Sequence, residues 1–168
     1  MIIKPVRILC GVLAMCWAAL AGAHEIRPAL ANLTFPDAQH YEIEISLNLE
    51  AVLAGVSPAH QDTNDSPNAR AYDQLRALKP ERLREQFGEY SAQFLRGISV
   101  EFDDQRAAPD ITAVEIPVVG DVRAARNSRI RLAGEIPAGA RALRWAYVAG
   151  LGNSILRVPG ASAGEVAA

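Results

Sequence analysis

Tyr41-Glu42-Ile43-Glu44-Ile45-Ser46-Leu47-Asn48-Leu49 is the stretch that decides the fold class, because five apolar residues alternate strictly with four polar ones. Successive side chains of a β-strand point to opposite faces, so this period of two predicts a strand over 41–49 with one face in a core. Weaker alternation recurs over 29–35, 98–102, 114–118, 128–132 and 143–147. Turn-forming residues separate most of these runs, and Gly134 to Gly139, with Pro137 inside, reads as a hairpin connection.

Between the strands at 41 and 98 the period changes. Leu83, Phe87, Tyr90 and Phe94 follow one another at steps of four, three and four, which lines them along one stripe of an amphipathic helix, with Pro80 near its start. A shorter helix is predicted ahead of it, with Ser66 as N-cap, Pro67 in the first turn, and Tyr72 and Leu75 on the inner face. Strands, a two-helix insertion over about residues 67–96, then more strands with frequent Gly and Pro turns predict a mainly β fold, an immunoglobulin-like β-sandwich. Alternating βαβ units do not fit that order.

The first seven residues carry Lys4 and Arg7 and no acid, an apolar run follows from Ile8 to Leu20, and Ala21-Gly22-Ala23 closes it. That is the three-part pattern of a secretory signal peptide over 1–23, leaving His24 as the new N-terminus. From Ile8 to Ala23 there are 16 residues, short of the ~20 that cross a bilayer. Bulky Met15 before Cys16 argues against a lipoprotein cleavage site. The expected organisation is therefore an exported domain over 24–159, periplasmic or otherwise extracytoplasmic, and a flexible small-residue tail over 160–168.

Both cysteines, Cys10 and Cys16, lie in the signal, so the mature chain has no disulfide to rely on. The 145 residues that remain of 168 are enough to bury about two-thirds of the unfolded surface in one domain, so any metal would serve function and not folding. Lys4 and Arg7 leave with the signal, so 15 of the 17 bases face all 19 acids and the mature net charge is −4. Nucleic acid is not an expected partner.

The stretches AHEIRPA (23–29), YEIEISLNLEAVLAGV (41–56), RLAGEIPAGARALRWAY (131–147) and SILRV (154–158) resemble the extracytoplasmic N-terminal region of hydrogenase/urease accessory (HupE/UreJ-like) membrane proteins. The resemblance covers most of the mature chain and implies association with nickel handling. As partner it implies a membrane protein, or the multi-helix membrane part that follows the soluble domain in that family. It supplies no catalytic residue.

Candidate chemistry centres on metal. Cleavage after Ala23 gives His24 a free α-amine beside its imidazole, two nitrogen ligands for a divalent transition metal such as nickel or copper. A further ligand must come from elsewhere, with His40, His60 and nearby acids as candidates. His60-Gln61-Asp62-Thr63-Asn64-Asp65-Ser66 gathers an imidazole and the carboxylates of Asp62 and Asp65. Asp62, Asn64 and Ser66 match the first oxygen positions of a calcium loop, but Pro67 and Asp73 stand where that loop needs Gly and Glu. A polar loop ending in a helix cap accounts for the same residues. Asp103-Asp104 reads as a hairpin turn, and Arg129 and Arg131 as the solvated face of a strand, within the basic stretch that Arg123 and Arg126 begin. No Gly-x-Ser-x-Gly elbow or Gly-rich phosphate loop occurs. The reading is a non-catalytic accessory or sensing domain, with a free-standing metal-binding protein anchored by His24 as the alternative.

Overall fold

The alternation in the chain is realised as alternation of burial. The computed structural model describes residues 27–57, 60 and 63–159. The proposed signal at 1–23, the tail at 160–168, His24 and Asp62 lie outside them. Strands β1 (Ala29–Thr34) and β2 (His40–Leu47) form an antiparallel pair. Tyr41, Ile43, Ile45 and Leu47 are buried while His40 and Glu42 are exposed.

The strand ends two residues earlier than its hydrophobic pattern. Asn48 leaves the ladder and caps helix α1 (Leu49–Ala54), its side-chain oxygen accepting the Ala51 N–H at 3.1 Å. Gly55 closes that helix with φ +67°, a left-handed conformation that suits glycine. Helix α2 (Ala69–Arg76) starts at Asn68 and not at Ser66. Ser66 instead accepts the Asn68 N–H in the turn before the helix, a local bond that the hydroxyl makes more readily outside a helix than within one. Helix α3 (Pro80–Arg96) follows the predicted stripe, with Leu83, Phe87 and Phe94 buried and Phe87 edge-on to Phe94.

The later strands are β3 (Ile98–Phe102), β4 (Gln105–Ala107), β5 (Asp110–Glu115), β6 (Ser128–Glu135), β7 (Leu143–Tyr147) and β8 (Ser154–Arg157). Five form one sheet in the order β5-β6-β2-β1-β8, with β1 and β8 parallel, and three form another in the order β4-β3-β7. The described residues thus hold eight strands in two sheets and three α-helices, a β-rich fold with helices as a third component. One apolar core joins them. Ile43, Ile45, Ile130 and Leu132 of the larger sheet share it with Val100 and Phe102 of the smaller and with Leu83, Phe87 and Phe94 of α3. The rings of Tyr41 and Phe102 meet between the sheets at 5.4 Å.

Two turns set the connections. Asp103 and Asp104 both have positive φ, the signature of a two-residue hairpin, and join β3 to β4 as the sequence predicts. The Asp103 carboxylate also accepts the N–H groups of Arg141 and Ala142, each at 2.9 Å, tying the approach to β7 against this hairpin. Gly134 to Gly139 does not make a hairpin. The chain leaving β6 crosses to the other sheet, because β7 pairs with β3.

Candidate functional site

Polar chemistry collects where β2 ends and α1 begins. A cavity of about 340 Å³ opens there, lined among others by Arg27, Ser46, Asn48, Tyr72, Arg123 and Asn127, with no Asp or Glu among the described residues of its lining. Residues from the N-terminal approach, β2, α2 and the loop before β6 meet there. Asn48 and Tyr72 are buried, and the Asn48 amide nitrogen donates to the Tyr72 hydroxyl at 2.7 Å. The orientation of that amide is fixed, since its oxygen is occupied by the Ala51 N–H. Burial pushes the Tyr72 phenol above its ordinary value, and the Asn48 bond and the nearby Arg76 cation oppose the shift. The Arg76 guanidinium lies 4.7 Å from the centre of the Tyr72 ring.

Behind the cavity, the loop from 116 to 127 is fastened from within. Arg126 bonds Glu50 of α1 at 2.6 Å, with side-chain exposures of 8% and 0%. It also donates to the Leu78 and Pro117 carbonyls at 3.1 and 3.3 Å. Val118 and Val122 stand exposed on the same loop. Arg123, exposed, clasps Asp121 through Nε and Nη2, and these bonds hold the Asp121 carboxyl at about 2.

The structure places the metal candidates unevenly. His60, partly buried, donates its N–H to the Ser57 carbonyl, and Asp65 is exposed at the end of a short 3-10 turn, Thr63–Asp65. Both belong to the loop between α1 and α2. Val56, at the start of that loop, lines a narrow cleft together with Arg27 and Pro28, so the loop begins at the end of the molecule from which β1 departs. His40 sits at the opposite end of β2, about 23 Å along the strand from Leu47 at the usual rise per residue. There it bonds Asp37 at 2.9 Å, beside a shallow cleft that Glu42, Asp110 and Glu135 also line. Among the described residues no three or more His, Cys, Asp or Glu are grouped to hold a metal ion. Arg129 and Arg131 lie on the outward face of β6, paired with Glu115 and Glu44.

Sequence spacing singled out none of Arg27, Asn48, Tyr72 and Asn127 as site residues. Their one legible signal was Asn48, whose distance to Gly55 frames a short helix. Comparison of the chain with protein families, with curated proteins and with solved structures finds no match. Among the described residues no helix is long and apolar enough to cross a membrane.

Proposed function

We propose that this chain is an exported, non-catalytic accessory or sensing domain of a HupE/UreJ-like, nickel-linked membrane system, built as an immunoglobulin-like sandwich. The carrying observation is convergence. The approach to β1 at Arg27, the start of the loop that bears His60, and the Asn48–Tyr72 cavity all lie at the end of the larger sheet where β2 gives way to α1. A surface built from segments so far apart in the chain suits recognition of a ligand or partner. The two facing sheets and the parallel pairing of the first and last strands favour the sandwich assignment. A membrane protein is the partner this reading requires.

The reading is tested in cells grown on limiting nickel. Removing the chain should lower nickel-dependent hydrogenase or urease activity, and the intact chain should restore it while a form lacking residues 1–23 should not. Unchanged activity without the chain sinks the reading.

One observation favours the alternative of a free-standing metal-binding protein. Arg27, three residues after His24 in the sequence, and Val56, at the start of the loop that bears His60, line one cleft. Calorimetric titration with nickel and copper should then give tight binding by the mature protein and weaker binding by His24→Ala. A form with one extra residue before His24 should also bind more weakly, and affinity should fall as pH drops through ~6.5, where imidazole protonates. Equal binding by all three forms removes His24 from the site.

A further inference from the structure

Among the described residues the Tyr72 hydroxyl proton has no acceptor. The Asn48 amide nitrogen has only hydrogens to offer, so the phenol oxygen accepts at that contact and its own proton must seek an acceptor elsewhere. Glu50 does not supply one. Its Oε1 is taken by Arg126, and its Oε2 has no hydrogen-bond partner. Tyr72 is 2% exposed and lines the cavity, so its remaining donor belongs to a buried polar wall and not to open solvent. A phenol donor that faces the cavity is best satisfied by an acceptor placed there, which a suitable ligand would supply.

The rest of the lining has one sign. Arg27 and Arg123 bring two cations, Asn127 and Ser46 bring neutral hydrogen-bonding groups, and none of the described residues that line the cavity is a carboxylate. Arg123 spends its Nε and Nη2 on Asp121, whereas Arg27 has no ion-pair partner among the described residues. A planar guanidinium fork and a phenol donor in one lining are the groups that bind carboxylate oxygens. The volume of about 340 Å³ fits a small organic acid or the last residues of a peptide.

We propose that this cavity binds a carboxylate, with Arg27 as its counter-ion and the Tyr72 hydroxyl as a donor to one of its oxygens. The inference deepens the reading of the domain as a sensing or recognition module by naming the chemistry it recognises. The shared group is the carboxylate, whether carried by a free acid or by a polypeptide C-terminus.

The test is calorimetric titration of the mature protein at low salt, after metal has been stripped on a chelating resin and the resin removed, so that neither metal nor a carboxylate chelator contributes. The probes are succinate, citrate, triglycine and triglycine amide. At least one carboxylate probe should bind, and Arg27→Ala and Tyr72→Phe should each weaken it about tenfold or more, the usual scale for a lost bond to a charged group. Arg157→Ala, which removes an exposed cation on β8, should leave affinity unchanged. Binding of triglycine but not its amide assigns a peptide C-terminus, and binding of succinate or citrate alone assigns a free acid. If none of the carboxylates binds, or if Arg27→Ala binds as tightly as the unaltered protein, the inference is overturned. Because Arg27 is exposed, that variant tests the site even where Tyr72→Phe folds poorly. Carboxylate binding that survives alongside unchanged nickel-dependent activity in the deletion strain would overturn the accessory assignment and leave this site standing.

Discussion

Two arginine–carboxylate pairs in this molecule have the same length and opposite surroundings. Arg129 meets Glu115 at 2.6 Å on the outward face of the larger sheet, with side chains 56% and 45% exposed. Arg126 meets Glu50 at 2.6 Å behind the loop that walls the cavity, with 8% and 0% exposed. Distance therefore says nothing about which pair matters. On the sheet both charges keep most of their hydration, so losing one partner returns the other to water. Behind the loop neither can be rehydrated without opening the structure, and Arg126 additionally holds two backbone carbonyls from different segments. Burial turns an ordinary pair into a fastening between α1, the connection from α2 to α3 and the 116–127 loop.

The largest effect should come from breaking that fastening. Arg126→Ala or Glu50→Ala leaves an uncompensated buried charge, and each is expected to destabilise the domain by about 3–5 kcal/mol. Urea unfolding followed by circular dichroism measures it. A double variant, Glu50→Leu with Arg126→Met, should recover much of the loss because no lone charge remains. A cost below about 1 kcal/mol for either single variant would erase the contrast with the sheet.

A second test lies inside the sheet, where apolar packing replaces charge. Gly134 pairs with Tyr41 across β6 and β2, and a Cβ at Gly134 would sit 2.5 Å from the Tyr41 hydroxyl oxygen. Gly134→Ala should cost about 1–3 kcal/mol through overpacking. Combined with Tyr41→Leu, which removes the obstructing ring, it should cost less than the sum of the two single changes. Additive losses would show that the close approach is not the cause.

Tyr41 also makes the sheet sensitive to alkali. Burial pushes its phenol from 10 up to about 12, with Asp110 adding to the shift. In the folded state the proton is held more tightly than in the unfolded state, so this contribution is complete below pH 10 and is lost as pH rises through about 12. The urea midpoint should therefore fall between pH 10 and 12. It should fall less steeply in Tyr41→Phe, and equal slopes would remove Tyr41 as a source.

The sequence was informative where structure is local and periodic. The alternation at 41–47 became β2, the stripe of Leu83, Phe87 and Phe94 became the buried face of α3, and Asp103-Asp104 became a hairpin. It misled where a cap competes with a pattern, since Asn48 and Gly55 frame α1 inside what reads as a strand continuing to Leu49. The run at 114–118 misplaces β5, which spans Asp110–Glu115 and carries a register shift between Ile111 and Ala113 that breaks its period. Gly134 to Gly139 looked like a hairpin because turn chemistry is local, whereas the partner of β7 is chosen by the packing of two sheets. The cavity was illegible for a stronger reason. Arg27, Asn48, Tyr72 and Asn127 come from four separate segments, and Glu50 and Arg126 stand 76 residues apart. No spacing rule gathers them.

The smallest expected effect completes the contrast between the two pairs. Arg129→Ala should cost about 0.2–1 kcal/mol, the range of exposed ion pairs, because solvent screens the attraction and the freed Glu115 returns to water. Arg131 still reaches Glu115 at 3.4 Å, which leaves that carboxylate a cation even after Arg129 is removed and keeps the loss toward the lower end. Raising salt to 1 M shortens the screening length to about 3 Å and should remove most of what remains. The buried Arg126–Glu50 pair, shielded from ions, should lose far less stability over the same range. Urea midpoints of the unaltered protein, Arg129→Ala and Arg126→Ala at low and high salt separate the two cases. A salt response of equal size at both pairs would mean that burial is not what distinguishes them.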